Sequence, residues 1–254
     1  MNIFVNNIWD IKSKRYPLPF DDVTYKKTIE IIDIAIKNGV KISDSHILDI
    51  GCGTGIFTLP LARMASKIIG LDNSKAMLER LKDEAQKWSI SNVSTFLKAW
   101  NDVDIETLCW KKSFHVVWAS MTPAIKNDKD ILKMEQCAKD WCVFIGWAKK
   151  RENDFYSEGF KLFDSEYKSP ENGIKITKIL DDLNRVYYAQ DFFDSWSWQG
   201  TVDEAIEDLL VHLKMIEIHS NRESIENFVY KRSHDGVIRH TTYAEKRIIL
   251  WRCN

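Results

Sequence analysis

Short apolar runs and longer stretches with helical spacing alternate along roughly the first 150 residues of the chain. Polar residues bound each apolar run, as expected of strands buried in a parallel sheet. The stretches between them carry apolar residues every three or four positions, which is typical of amphipathic helices. The predicted strands are HILDI (46–50), KIIGLD (67–72), NVSTFLKAW (92–100), FHVVWAS (114–120) and WCVFIGWA (141–148).

Five such strand-and-helix steps predict an α/β fold, with a doubly wound, mainly parallel seven-stranded sheet and helices on both faces. Beyond the fifth strand the periodicity weakens, and we expect residues 151–200 to form a helical, aromatic insertion that covers a substrate site. Residues 185–198 favour an extended edge strand, and residues 246–253 a last strand of the sheet. We expect residues 1–254 to form a single domain, with residues 1–40 as an N-terminal helical cap.

Local signals also predict where individual helices begin and end. Gly39 is well placed to end a leading helix, and Ser74 to cap the start of a later one. Thr201 and Glu204 have the spacing of a capping box. A further helix is expected from about Thr54 onward, with Pro60 in its first two turns, where a missing N–H costs less than in the middle of a helix.

Composition and charge limit the classes of function. The chain is 44% hydrophobic, with ten tryptophans, and its 36 basic and 37 acidic residues leave a formal charge of -1. No global field therefore attracts nucleic acid or anionic lipid, although a local basic patch remains near the C-terminus. Five scattered cysteines fit neither a disulfide framework nor a metal site, and no secretory signal or membrane-spanning run is present. We expect a cytoplasmic protein without a metal.

The segment LDIGCGTGIFTL, residues 48–59, carries the strongest chemical signal. Glycine-rich turns between a strand and a helix bind nucleotides because the backbone can approach the ligand closely. A dinucleotide fingerprint would need glycine at position 56, where this chain has Ile56. A P-loop would end in Gly-Lys-Ser/Thr, which is absent. The remaining pattern is an acid, Asp49, followed by Gly51, Gly53 and Gly55.

With its flanking strands, this segment resembles motif I of the class I S-adenosylmethionine-dependent methyltransferases, and the resemblance covers roughly residues 47–148. It implies S-adenosylmethionine as cofactor and S-adenosylhomocysteine as product. Asp49 would orient the ammonium of a phosphate-free, cationic cofactor, and Asp72, at the end of the next strand, would accept the ribose hydroxyls. The implied cofactor-binding residues are Asp49, Gly51, Cys52, Gly53, Thr54, Gly55, Asp72, Asn73, Ala99, Trp100 and Ser120.

Two positions depart from the family pattern. After the third strand the expected acid is displaced to Asp102, so Trp100 either contacts the adenine or belongs to the core. After the fourth strand, amino-directed nucleic-acid methyltransferases carry Asn/Asp-Pro-Pro-aromatic, whereas this chain has Ser120 to Pro123. This difference counts against methylation of a nucleobase amine.

The resemblance implies methyl transfer by in-line displacement, and we expect a small-molecule acceptor because the chain is nearly neutral and rich in aromatic residues. The alternatives are an RNA or protein methyltransferase, a cofactor-binding module without activity and, more distantly, a nicotinamide-dependent oxidoreductase. No catalytic residue is assigned. The candidates for the acceptor side are Trp9, Tyr16, Thr122, Trp196 and Trp198.

Overall fold

The computed structural model describes residues 3–253, and side chains from residue 8 onward. Within these residues, seven strands form one sheet in the order β3-β2-β1-β4-β5-β7-β6. The strands β1 to β5 pair in parallel, whereas the part of the sheet with the last two strands makes it mixed rather than purely parallel. The strands are β1 His46–Ile50, β2 Lys67–Asp72, β3 Val93–Leu97, β4 Phe114–Ser120, β5 Ala138–Glu152, β6 Tyr187–Thr201 and β7 Val237–Arg252.

The order of the parallel strands determines where a ligand can bind. The chain runs outward from β1 through β2 to β3, then returns to place β4 on the other side of β1. Ligands of open α/β sheets bind where the strand order reverses, at the carboxyl ends of the strands. In this protein that position is the end of β1 and β4, where Ile50 pairs with Ala119.

The helices are α1 Ile3–Ser13, α2 Asp22–Lys37, α3 Thr58–Ala62, α4 Lys75–Lys87, α5 Asp128–Cys137, α6 Asp154–Lys161, α7 Asn172–Asp182, α8 Val202–Met215 and α9 Arg222–Arg232, and Trp100–Asp102 form a 3₁₀ turn. The predicted caps are confirmed: Ser74 Oγ accepts from Met77 N, and Thr201 and Glu204 form the capping box. The prediction of a helix from Thr54 was wrong in extent, since the positive φ angles of the glycine turn delay α3 to Thr58.

The chain divides into two compact units. The first unit comprises residues up to 146, residues 172–190 and the chain from 247, and its core lies around β1 and β4 and includes the fully buried Leu48, Val117 and Phe144. The second comprises residues 147–171 and 191–246, with its own core of α6, α8 and α9 side chains. No helix in the described part of the chain is long and apolar enough to cross a membrane.

Candidate functional site

The glycine turn follows β1 directly and is held against the end of β2. The N–H groups of Gly51 and Cys52 both donate to the carbonyl of Leu71, at 2.7 and 3.0 Å. Gly51 has φ +71°, and a Cβ there would lie 2.1 Å from Oγ1 of Thr122. Gly51 is therefore required by close packing of the backbone as well as by its conformation.

The other two glycines of the turn have different roles. A Cβ on Gly55 would lie 3.0 Å from Leu81, so this glycine lets the turn pack on α4. A Cβ on Gly53 would meet only ordinary contacts, the nearest being Tyr16 at 3.9 Å. Gly53 therefore has the most space around it of the three glycines in the turn.

Asp49 is the buried acid beside this turn, with a relative exposure of 1%. Its Oδ2 accepts a hydrogen bond of 2.6 Å from Oγ1 of Thr58 in α3. Its Oδ1 is buried and has no hydrogen-bond partner among the described residues. Burial raises the pKa of this carboxyl to about 7; the bond from Thr58 opposes the shift, and the charge of Asp72 adds to it. Asp49 thus offers a buried acceptor oxygen, and a cation bound beside it would favour the ionised form of the carboxyl.

Asp72 ends β2 and organises the backbone around it. Its Oδ2 accepts from Gly53 N at 2.8 Å, and its Oδ1 accepts from Ser74 N at 2.8 Å. Burial raises the pKa of Asp72, whereas the N–H groups of Ser74, Gly53 and Asn73 lower it, and Asp10 raises it. A carboxylate has about four acceptor positions, so at least one remains for a ligand hydroxyl.

The residues after β3 divide between core and surface. Trp100 is 3% exposed and packs in the core of the first unit, with the ammonium of Lys133 4.7 Å above its ring. Ala99 is half-buried, and Asn101 and Asp102 are exposed. Trp100 is thus in the core, whereas the backbone and side chains next to it are accessible at this edge of the sheet.

Ser120 ends β4 and lies beside the glycine turn through the pairing of β1 with β4. Its Oγ is buried and lacks a hydrogen-bond partner in the described structure. Thr122 is 5% exposed, and its Oγ1 accepts from Ala124 N at 3.2 Å while its side chain packs on Gly51. Thr122 therefore has a packing role, which its sequence position did not indicate.

An N-terminal segment, residues 9–17, is hydrogen-bonded to the glycine turn and to the start of α4. Oγ1 of Thr54 donates to the carbonyl of Pro17 at 2.8 Å, and Oγ of Ser74 donates to Oδ1 of Asp10 at 2.5 Å. Tyr16 is half-buried, and its pKa is raised by burial and by the charge of Asp72. Sequence reasoning missed Asp10 and Thr58, because their partners lie 64 and 9 residues away and no local pattern identifies them.

The remaining acceptor-side candidates occur in different parts of the protein. Trp9 belongs to the first unit and meets Tyr16 edge to face, with ring centroids 6.4 Å apart. Trp196 and Trp198 belong to the second unit. Trp198 stacks on His240 there, with centroids 5.0 Å apart. In the first unit, Thr122 packs on Gly51 and Tyr16 lies near Gly53, whereas Trp9 contacts Tyr16.

Two surface depressions, of about 360 and 260 Å³, lie elsewhere. The first is lined mainly by residues 36–43, which precede β1. The second is lined by residues at the starts of β2 and β3. This is the amino edge of the parallel strands, opposite the edge where such sheets bind ligands. The site at the glycine turn therefore rests on its polar groups rather than on cavity size.

Comparison with known proteins agrees with this geometry. A family model described as a methyltransferase domain matches residues 47–141. A 23S rRNA (uracil(1939)-C(5))-methyltransferase from Vesicomyosocius okutanii is 32% identical over 80 residues, which are 32% of this chain and 18% of that protein. The chain thus spans only about a fifth of the length of the curated relatives it matches first.

Two solved structures share the fold over most of their length. Magnesium protoporphyrin IX methyltransferase from Synechocystis PCC 6803, with bound SAH, has a TM-score of 0.55 at 14% identity, covering 100% of this chain and 96% of that one. An SAM-dependent methyltransferase from Aquifex aeolicus has a TM-score of 0.53 at 18% identity, covering 70% and 89%. The resemblance to the class I S-adenosylmethionine-dependent methyltransferases is thus confirmed for residues 47–141, which the methyltransferase-domain model matches.

The residues present fit the cofactor of that family. The buried Oδ1 of Asp49 and Oγ of Ser120 are polar atoms left without partners beside the turn. Such atoms are costly unless a ligand satisfies them. Around Gly53 the turn has the most space of its three glycines, and Asp72 retains acceptor capacity. A ligand with an ammonium and a ribose diol matches this arrangement.

Proposed function

We propose that the protein transfers a methyl group from S-adenosylmethionine to a small-molecule acceptor. The observation that carries this proposal is the unpartnered, buried oxygen of Asp49 next to the glycine turn. A phosphate-bearing cofactor would be repelled by a carboxylate at that place, whereas an ammonium would be stabilised by it.

In this proposal the chain's residues bind and align rather than exchange protons. S-adenosylmethionine supplies a methyl group already activated by its sulfonium. Asp49 holds the ammonium directly or through water, Asp72 accepts the ribose hydroxyls, and the backbone at Gly53 lies against the ligand. Asn73, Ala99 and Ser120 also line the cofactor site. Cys52, Thr54 and Trp100 pack around this site and give it its shape. Alignment of this kind suffices for an in-line displacement, so no general base is assigned.

A small acceptor is favoured over RNA because of charge. The formal charge is -1, and the chain lacks the Asn/Asp-Pro-Pro-aromatic sequence after β4. The rRNA methyltransferase relatives match only short segments, and a shared cofactor site accounts for matches of that length. The alternatives are an RNA or protein acceptor, or cofactor binding without turnover, and measurements of binding and of methyl transfer distinguish them.

The proposal also covers the arrangement of the fold and the location of the protein in the cell. We infer helices on both faces of the sheet, because right-handed crossovers on the two sides of β1 place them so. A single domain over residues 1–254, with a cap at 1–40 and an insertion at 151–200, stays a prediction. The single domain is supported because residues 172–190, within the predicted insertion, belong to the first unit. A cytoplasmic location is inferred from the five free cysteines.

Calorimetric titration with S-adenosylhomocysteine and, separately, with NAD tests the cofactor. We expect S-adenosylhomocysteine to bind and NAD not to bind; the reverse result would end the methyltransferase proposal. Asp72→Ala should weaken S-adenosylhomocysteine binding by at least tenfold, whereas the exposed Asp83→Ala should leave it unchanged. Methyl transfer is then measured with radiolabelled cofactor against small-molecule, RNA and protein fractions. Transfer to RNA alone would replace the small-molecule acceptor.

A further inference from the structure

Asp10, on α1, is hydrogen-bonded to the start of α4, close to Asp72. Its Oδ1 accepts from Oγ of Ser74 at 2.5 Å and from N of Ala76 at 3.4 Å. Asp10 is half-buried and Ser74 is fully buried, so water competes little for the bond between them. Asp10 therefore adds a contact from a distant segment to the cap that Ser74 itself provides for α4.

Ser74 connects Asp10 to Asp72 through its two polar groups. Its hydroxyl donates to Asp10, and its backbone N–H donates to Oδ1 of Asp72 at 2.8 Å. The same hydroxyl accepts from N of Met77 at 3.2 Å, so both its hydrogen and a lone pair are engaged. The hydroxyl cannot rotate without losing one of these bonds, and this fixes the position of Ser74.

Asp72 extends this series of hydrogen bonds to the glycine turn. Its Oδ2 accepts from N of Gly53 at 2.8 Å, whereas its Oδ1 is the oxygen bonded to Ser74. Because two different segments hold the two oxygens, the plane of the carboxylate is set. A ligand hydroxyl needs one orientation of that plane to meet a remaining acceptor position. The hydrogen bonds thus form a continuous series from Asp10 to the proposed cofactor site.

The hydrogen bond of Asp10, rather than its charge, is the favourable part of this arrangement. Burial is the main cause that raises the pKa of Asp72, and the negative charge of Asp10 adds to it. Two nearby carboxylates repel each other, so electrostatic attraction does not explain their proximity. Asp10→Asn separates the two effects, because asparagine lacks the charge but keeps an acceptor oxygen for Ser74.

The same N-terminal segment has contacts that lead elsewhere. Oγ1 of Thr54 donates to the carbonyl of Pro17 at 2.8 Å, and the guanidinium of Arg80 donates to the carbonyl of Ser13. Arg80 lies on α4, so its bond also connects α1 with α4, but it ends on a backbone carbonyl. Docking of α1 and orientation of Asp72 can therefore be perturbed separately.

We propose that Asp10 is a positioning residue of the cofactor site, which orients the Asp72 carboxylate through Ser74 for a ribose hydroxyl. As an account of cofactor affinity, this inference rests on the proposed function. The orientation of Asp72 is a property of the ligand-free protein and is measurable without a cofactor.

Amide hydrogen exchange of the ligand-free full chain, followed by NMR, measures this orientation. The N–H groups of Gly53 and Ser74 both donate to Asp72, so they are protected while its carboxylate is held. We expect Asp10→Ala to raise exchange at both amides by at least fivefold, and Asp10→Asn by less than twofold. Exchange at the fully buried Val117 measures global unfolding, and the expected increases are those beyond any change there.

Arg80→Ala is the matched control, because it also removes a bond between α1 and α4. It should leave exchange at Gly53 and Ser74 within twofold of wild type. No increase in Asp10→Ala overturns the proposal. Equal increases in Asp10→Ala and Arg80→Ala overturn it as well, because they would mean that docking of α1 alone protects these amides.

Calorimetric titration with S-adenosylhomocysteine measures the consequence for affinity. We expect Asp10→Ala to weaken binding by at least fivefold, and Asp10→Asn and the exposed Asp22→Ala by less than twofold. In an Asp72→Ala background, Asp10→Ala should change affinity by less than twofold, because Asp10 acts through Asp72. Multiplicative losses in the double variant contradict the positioning role.

The two measurements separate this inference from the proposed function. If exchange at Gly53 and Ser74 responds to Asp10→Ala but wild type does not bind S-adenosylhomocysteine, the positioning of Asp72 by Asp10 stands and the proposed methyltransferase function fails. If S-adenosylhomocysteine binds and exchange at these amides does not respond to Asp10→Ala, the inference fails and the proposed function stands.

Discussion

Asp49→Asn removes the buried carboxylate beside the glycine turn with almost no change in size. The pKa of Asp49 is about 7 in the folded protein, against an ordinary value of 3.8. Between these values the folded state holds a proton that the unfolded state has released. The free energy of unfolding therefore falls as pH rises through this range.

The magnitude follows from the size of the shift. A difference of about three pKa units corresponds to roughly 4 kcal/mol at high pH, since each unit is about 1.4 kcal/mol. Between pH 5 and pH 8, Asp49 should lower the unfolding free energy by about 2–3 kcal/mol. The asparagine variant lacks this loss. Its amide donor has no partner at the Oδ1 position, which costs about 1–3 kcal/mol at every pH.

The expected result is thus a change in relative stability with pH. Urea unfolding of the ligand-free protein, followed by tryptophan fluorescence, should show the variant less stable than wild type at pH 5. The difference should close or reverse at pH 8. The exposed Asp83→Asn, as control, should follow the wild-type curve. Parallel pH curves for wild type and Asp49→Asn would refute the reasoning, because they would mean that Asp49 titrates near its ordinary pKa.

Cofactor binding gives a second readout of the same group. At pH 6 the Asp49 carboxyl is mostly protonated, and an ammonium beside it favours the ionised form. Binding of S-adenosylhomocysteine should then release up to about one proton. Calorimetry in two buffers of different ionisation enthalpy measures this release. The asparagine variant should release none; equal release by both proteins would show that another group is responsible.

Two further predictions concern packing and pH. Gly51→Ala should destabilise the protein by at least about 3 kcal/mol in urea unfolding, because the new Cβ overlaps Thr122. Gly236 is the control, because it has nearly the same φ and nothing lies within 4 Å of its added Cβ. Gly236→Ala should cost about 1 kcal/mol. Similar costs at both glycines would mean that conformation, not the contact with Thr122, makes Gly51 necessary. The pKa of His240 is lowered to about 4, so below pH 6.5 the unfolded state binds more protons than the folded state. The free energy of unfolding should therefore fall by about 1–2 kcal/mol as pH drops from 6.5 to 4. His240→Asn should remove this slope and His234→Asn should keep it; a slope retained in His240→Asn contradicts the shift.

Much of the parallel half of the fold follows from local sequence. The predicted runs at β1, β2, β4 and β5 are short and apolar, as is typical of strands buried in a parallel sheet. Helix ends followed in the same way from single residues such as Ser74 and Thr201, because a cap depends only on the next three residues. The glycine interval and Asp49 likewise indicated the cofactor class, since the contacts of a tight turn are mostly local.

Contacts between distant segments were decided only by tertiary structure. Asp10 reaches Ser74 across 64 residues, and Thr122 packs on Gly51, although neither has a local pattern. Gly53 and Gly55 shortened α3, because their backbone angles outweigh the helical spacing that follows. The amide nitrogen of Asn153 lies 2.9 Å from Nδ1 of His240, 87 residues later. The sequence determines which chemical groups are present and which local turns and helix caps they form. Burial and pairing arise only once distant segments pack together. They shift pKa values and leave some polar atoms without partners.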